Sequence, residues 1–232
     1  MTEFFIIIAL ITSNLKMVTD HTFYPQLEKT ISALQNEAHL IPDSRKEQLD
    51  ELAEVVLEKL EKDGNVSLNF ICTHNSRRSQ LSELWFRTAA AWYGIEHVFT
   101  YSGGTESTAF NHRMVAAVER AGFHIRKLTS GSNPKYIIQS GPEDHNYFVM
   151  YSKKYSESYN PQSGYIAVMV CSQADEGCPV VFGADARISL PYEDPKNADG
   201  TEYESKAYDD KVREIGREML YVMKMLQYHL AH

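Results

Sequence analysis

Near the start of the chain, Leu27, Ile31 and Leu34 recur at helical spacing until the break at Ile41-Pro42. Leu49, Leu52, Val56 and Leu60 share one face of a second helix, which Ser44 and Glu47 open as a capping box and Asp63-Gly64 stop. The pattern then changes. Val66 to Ile71 predicts a short strand, Cys72 to Ser79 a polar loop, and Leu81, Leu84, Trp85, Ala89 and Trp92 the apolar side of a helix. His97 to Tyr101 predicts a second strand, and Phe110, Met114, Val118 and Ala121 the next helix, closed by Gly122 at C′.

Residues 132–163 break this alternation. Tyr136 to Gln139 and Tyr147 to Tyr151 read as strands around Ser140-Gly141-Pro142, so a hairpin-like insertion or an extended edge is expected. Tyr165 to Val170 is almost continuously apolar, which suits a central strand buried on both faces, and it ends at Cys171. Ser172 to Gly200 reads as irregular. Thr201 and Glu204 form another capping box, and Tyr208, Val212, Ile215, Met219, Met223 and Leu226 mark the face of a final helix. Alternating strands and helices imply an α/β fold with a mainly parallel sheet, whose chemistry sits in the loops at the carboxyl ends of the strands. The chain divides into a tail with a helical extension, 1–65, and a catalytic domain, 66–232.

With 232 residues, 43% of them hydrophobic and 23% charged, the chain can bury a sizeable core, which excludes a disordered or fibrous protein. A net charge of -8 disfavours a nucleic-acid partner held on basic surface. Phe4 to Ile11 is too short to span a bilayer and follows Glu3 rather than a basic segment, so a signal or anchor is disfavoured, Met17 is an alternative start, and a cytoplasmic protein is expected. Three cysteines do not make the framework of a disulfide-stapled domain, so each needs its own explanation.

Cys72-Thr73-His74-Asn75-Ser76-Arg77-Arg78-Ser79 joins a strand to a helix and has the form Cys-x5-Arg-Ser. The backbone N–H groups of such a loop converge at the helix N-terminus, so a tetrahedral oxyanion can rest on residues 73–79 while Arg78 clamps its oxygens. The same positive field favours a thiolate at Cys72, and the Ser79 hydroxyl can bond to it. Arg77 is expected to face solvent or sit at the rim. The alternative is a buried cysteine at a strand end beside two solvated arginines.

On these residues the chain resembles the low-molecular-weight protein tyrosine phosphatase superfamily. The resemblance implies a four-stranded parallel sheet flanked by helices, with Cys72 as nucleophile and Arg78 as oxyanion ligand. It also implies that Asn75 shapes the loop and that Ser79 stabilises the thiolate. His74 departs from the usual Gly.

Cys171 and Cys178 are separated by six residues, with Pro179 following, directly after the apolar central strand. That strand's carboxyl end lies on the sheet edge that carries Cys72, so three thiols can converge on one oxyanion site and pass oxidation outward by thiol–disulfide exchange. A structural disulfide between Cys171 and Cys178 and a zinc site of Cys72, His74, Cys171 and Cys178 are the competing readings. Cys-x6-Cys-Pro beside Cys-x5-Arg resembles the thioredoxin-coupled arsenate reductases, as does Ser79-Gln80 with Glu83 and Trp85. This resemblance implies an arseno-adduct on Cys72, displacement of arsenite by Cys171, and a disulfide completed by Cys178 and reduced by thioredoxin, with no other cofactor.

An Asp held by a following Pro over the loop can protonate a leaving oxygen, and the family's Asp-Pro implies Asp194, with Glu193 as fallback. Lys196-Asn197 stands where the phosphotyrosine-specific branch tends to carry Tyr, which favours a small inorganic anion. A phosphatase hydrolysing phosphomonoesters through phospho-Cys72 is the alternative. Asn75, Glu83, Ser102 and Thr129 match positions near a potassium ion in some reductases, but Gly131 replaces a helpful acid and no metal is expected.

Overall fold

Val66–Cys72 (β1) is buried along almost its whole length because it runs between neighbours in the middle of a sheet. In the computed structural model, which describes residues 22–142, 147–177 and 180–232, β1 pairs in parallel with Val98–Gly104 (β2) and with Tyr165–Met169 (β6). β6 pairs in parallel with Ala184–Ser189 (β7), giving a four-stranded parallel sheet in the order β2-β1-β6-β7. The apolar runs are therefore the two inner strands. The apolar run Phe4 to Ile11, Met17 and Cys178 lie outside the described residues.

Six helices surround the sheet among the described residues: Pro25–Asn36 (α1), Asp43–Asp63 (α2), Arg78–Tyr93 (α3), His112–Arg120 (α4), Ser172–Gly177 (α5) and Glu204–Leu230 (α6). α6 packs against α1, α2, α3 and α4. Leu27, Ile31 and Leu34 of α1 and Leu49, Leu52 and Val56 of α2 are fully buried in the same core as Trp85 and Met219. The N-terminal helices therefore bury their apolar stripes in the core of the sheet domain, where hydrophobic burial stabilises both partners.

The second feature beyond the sheet is antiparallel. His124–Lys127 (β3), Tyr136–Gln139 (β4) and Tyr147–Met150 (β5) form a three-stranded sheet in that order. The expected hairpin is its β4–β5 half. Beyond β5 the chain returns along the edge of β2, where Gly104 N–H donates to Lys153 O at 2.9 Å and Tyr155 N–H to Gly104 O at 2.9 Å. A Cβ on Gly103 would stand 2.2 Å from Tyr155 Cα, so this backbone approach requires glycine.

Three local expectations need correction. Residues 172–200 are not irregular throughout, since they contain α5 and β7. β7 escapes the pattern because it is an edge strand with only Ile188 buried and with Asp185 and Arg187 along it. Ser44 caps nothing, because α2 starts at Asp43 and the Pro42 carbonyl receives the Arg45 and Lys46 N–H groups. Thr201 and Glu204 do not form a capping box either. Glu204 is the first helical residue, and its carboxylate accepts from Gly200 N–H and Arg113. No helix among the described residues is long and apolar enough to cross a membrane.

Candidate active site

The loop from Cys72 to Arg77 leaves β1 and turns into α3. Its carbonyl oxygens face outward, and each has a donor. Thr105 N–H reaches Cys72 O, Glu106 N–H reaches Thr73 O, Asn111 N–H reaches Ser76 O and Leu81 N–H reaches Arg77 O. The Ser152 hydroxyl donates to His74 O at 2.9 Å and Gln80 Nε2 to Asn75 O at 2.8 Å. No described residue accepts from the N–H groups of His74, Asn75, Ser76 or Arg77. With the carbonyls tied outside, those donors are what a tetrahedral oxyanion finds inside the loop.

Asn75 holds this shape. It takes φ 45, a left-handed conformation that Asn tolerates better than most residues. Its fully buried amide donates to Ser79 Oγ and Ser102 Oγ, both at 2.9 Å, and accepts from Lys153 N–H at 2.9 Å. Ser79 Oγ in turn lies 3.0 Å from Cys72 Sγ. The thiol, itself buried, thus has a hydroxyl fixed beside it.

Arg78 is buried at the foot of α3. It donates from Nη1 to Tyr192 O at 2.9 Å and from Nη2 to Asp194 Oδ2 at 2.9 Å, while its buried Nε has no acceptor. Nε is thus the nitrogen of Arg78 with no partner among the described residues, and its N–H is available to an anion. Arg77 differs from the expected rim charge: it is largely buried and clamps Asp194 from the other side, with Nε 2.8 Å from Oδ1. The pair of carboxylate oxygens attracts both guanidinium groups. Burial pushes the Asp194 carboxyl up, but the charges of Arg78 and Arg77 outweigh it and hold the group below the ordinary carboxylate range. Glu193 is exposed and makes no such contact, so Asp194 is the acid brought to the loop.

Cys171 follows the end of β6. Val170 N–H donates to Ile71 O at 2.8 Å, which puts the two cysteine-bearing strand ends side by side. Cys171 Sγ is fully buried, 3.5 Å from Thr73 Oγ1 and 3.4 Å from Ala174 N. Asp175 anchors α5 by accepting from Ser189 Oγ at 2.7 Å and from Arg187. Cys72 and Cys171 are both free thiols. His74 turns to Glu106, its Nε2 3.7 Å from Oε2. Among the described residues no group of three or more His, Cys, Asp or Glu side chains is arranged to hold a metal ion.

Sequence reasoning missed Ser152 and Lys153. The Ser152 hydroxyl also accepts Thr108 N–H at 2.8 Å, and the Lys153 side chain is buried with Nζ over the rings of Tyr151 and Tyr159. No local motif announces them, because they reach the loop from the tail of the antiparallel sheet. Of the residues near the potassium position, Asn75 and Ser102 bond to each other, and Thr129 Oγ1 accepts from Lys135 N–H at 2.9 Å. Glu83 is buried with Oε2 unpartnered.

A family model described as low molecular weight phosphotyrosine protein phosphatase matches residues 67–141, from β1 through the loop to the second sheet. Among curated proteins, the arsenate reductase of Bacillus subtilis is 29% identical over 156 residues, 67% of this chain and 93% of that one. The arsenate reductase of Halalkalibacterium halodurans is 27% identical over 151 residues, 65% of this chain and 89% of that one. A low-molecular-weight phosphotyrosine phosphatase structure from Vibrio cholerae O395 aligns with a TM-score of 0.49 at 13% identity, covering 71% of this chain and 99% of that one. The outward-tied loop around Cys72 and the arginine at its end lie within the matched residues 67–141, and over that stretch the chain resembles the low molecular weight phosphotyrosine protein phosphatases.

Proposed function

We propose that the protein is an arsenate reductase working through Cys72, Cys171 and Cys178. The observation that carries this reading is the second buried thiol. Hydrolysis through a phosphocysteine needs one thiol, whereas here Cys171 stands at the neighbouring strand end with the Thr73 hydroxyl 3.5 Å from its sulfur. Arsenate sits on the loop N–H groups and on Arg78 Nε. Cys72 Sγ attacks arsenic, an S–As bond forms, and one As–O bond breaks. Asp194 protonates the departing oxygen, which leaves as water. The arginine pair keeps Asp194 ionised at rest, and the carboxyl takes up its proton once Arg78 turns toward the bound anion.

Cys171 then attacks Cys72 Sγ. The S–As bond breaks with its electron pair left on arsenic, which falls from As(V) to As(III) and departs as arsenite. The sulfurs join as a disulfide. Cys178 attacks Cys171 Sγ, expels Cys72 as thiolate and leaves a Cys171–Cys178 disulfide, which thioredoxin reduces with two electrons. In this reading an N-terminal tail and helical extension, 1–65, precede a catalytic domain, 66–232, in a cytoplasmic protein.

A second reading, phosphatase action through a phospho-Cys72 hydrolysed by water, is favoured by one feature. A cleft of about 590 Å³ adjoins the loop at Ser76 and is lined by Phe110, Asn111, His112 and Tyr136, which gives room for an organic group. The test is NADPH consumption with thioredoxin and thioredoxin reductase, with and without arsenate, beside hydrolysis of an aryl phosphate. Arsenate-dependent consumption that disappears in Cys171→Ser establishes the reductase. Fast aryl phosphate turnover that Cys171→Ser leaves intact, without arsenate reduction, establishes the phosphatase.

A further inference from the structure

The two most exposed large hydrophobic side chains among the described residues are Phe182, 81% exposed, and Val180, 65% exposed. Both follow Cys178 by a few residues. Val180 lies two residues and Phe182 four residues beyond it in the sequence. Single exposed hydrophobics need no explanation, but this pair is mounted. Val181 between them is buried, and Phe182 O accepts from the Tyr165 hydroxyl at 3.0 Å. Gly183 follows with φ 82, donating nothing from a side chain and accepting Gly164 N–H on its carbonyl at 2.9 Å. A Cβ there would lie 2.0 Å from Gln162 O. The backbone is therefore fixed on both sides of the Phe182 ring, and the ring is held out in water rather than trailing from a loose loop.

We propose that Val180 and Phe182 are the docking patch for the dithiol protein that reduces the Cys171–Cys178 disulfide, a proposal that rests on the arsenate reductase reading. The chemistry requires a partner here. A thiolate of the reductant attacks Cys178 Sγ, forming an intermolecular disulfide and releasing Cys171 as thiolate, which Ala174 N–H at 3.4 Å is placed to receive. The reductant's second thiol then attacks its own first sulfur, releasing Cys178 and leaving the reductant as the disulfide. Two electrons and two protons pass to the enzyme. The size of the patch matches this occupant. Two apolar side chains suit the small interface of a transient redox encounter, whereas a stable dimer with a second copy needs a larger apolar area. A preorganised aromatic is also the kind of anchor that dominates such interfaces.

The experiment uses the full chain and thioredoxin. Arsenate reduction is followed as a function of thioredoxin concentration for the unmodified protein, for Phe182→Ser and for the double variant V180S/F182S. Each is also assayed with dithiothreitol in place of thioredoxin, and for arsenite released in a single turnover of pre-reduced enzyme. Loss of a central aromatic anchor is expected to raise the KM for thioredoxin by roughly tenfold, while single-turnover arsenite and the dithiothreitol rate stay unchanged. Phe182→Leu is expected to recover most of the lost affinity. An unchanged KM for thioredoxin overturns the patch, as does an equal loss of the dithiothreitol rate. A dimer of the unmodified protein that Phe182→Ser dissociates while the KM for thioredoxin stays put assigns the patch to a second copy and overturns the proposal. If the unmodified protein releases no arsenite in a single turnover, the reductase reading itself falls and takes the patch with it.

Discussion

Replacing Asn75 by Ala tests whether one side chain holds the anion loop. The amide's bonds to Ser79 Oγ, Ser102 Oγ and Lys153 N–H would all be lost. The two hydroxyls can turn to other partners, but the buried Lys153 N–H cannot, and an orphaned donor of this kind costs about 1–3 kcal/mol. Alanine at φ 45 adds about 1–2 kcal/mol of left-handed strain. These contributions overlap, and a net loss of about 3 kcal/mol is expected for Asn75→Ala. Asn75→Gly loses the same bonds without the strain, so it should be more stable than Asn75→Ala by about 1 kcal/mol. Guanidinium denaturation of the three proteins measures this directly. Because Asn75 also fixes Ser79 beside Cys72, both variants should lose roughly tenfold in kcat/KM for the loop's anion substrate, the equivalent of about one hydrogen bond to the thiolate. Unfolding of both variants at the wild-type midpoint, or an Asn75→Ala as stable as Asn75→Gly, would show that this side chain does not hold the loop.

Asp194→Asn should be less stable than the unmodified protein at pH 7. A carboxyl held low in the folded state contributes stability that is present above its unfolded pKa and lost as pH falls through the folded one. The gap between the two proteins should therefore close below about pH 4, and a gap that widens on acidification would contradict the arginine clamp. Gly103→Ala forces a Cβ against the Tyr155 backbone, and overpacking of this kind should cost about 1–3 kcal/mol, read as a lower denaturation midpoint. Glu218→Gln removes the partner of Arg45, whose Nε lies 3.0 Å from the carboxylate, and should cost about 3 kcal/mol as a broken, largely buried ion pair. Thermal unfolding of Glu218→Gln beside Arg45→Met checks it: a full midpoint retained by Glu218→Gln alone would contradict the pairing.

The inner strands and the loop were legible because their signals are local. Val66 to Ile71 and Tyr165 to Val170 are apolar runs of strand length, and Cys-x5-Arg-Ser sits between a strand and a helix in sequence as it does in space. β3 and β7 were not legible, because an edge strand of charged and small residues carries no apolar run. Arg77 was misread for a related reason. Its environment is set by Asp194, 117 residues away; the Asp-Pro resemblance placed that carboxylate over the loop, but no local pattern reports that it pairs with Arg77 as well as Arg78. Ser152 and Lys153 were missed on the same ground, since their contacts to His74 and Asn75 each span 78 residues.

Those distant contacts give the parts outside the parallel sheet a physical role in the site. The tail of the antiparallel sheet supports the loop from one side through Ser152 and Lys153. From the other side the support begins in α2. Arg45 lies over the Tyr192 ring at 4.5 Å and pairs with Glu218 of α6, and the Tyr192 hydroxyl donates to the same carboxylate at 2.7 Å. Burial raises the Tyr192 hydroxyl pKa well above its usual range, and the nearby Glu218 charge adds to it, so this hydroxyl remains a donor throughout the physiological range. Tyr192 is thereby fixed by both its ring and its hydroxyl, and its carbonyl is the oxygen that holds Arg78 Nη1. The helical extension thus ends, through one tyrosine, at the arginine proposed to hold the anion. Orientation of a buried guanidinium depends on every acceptor around it, so α2 helps to determine where Arg78 points as well as adding apolar area to the core.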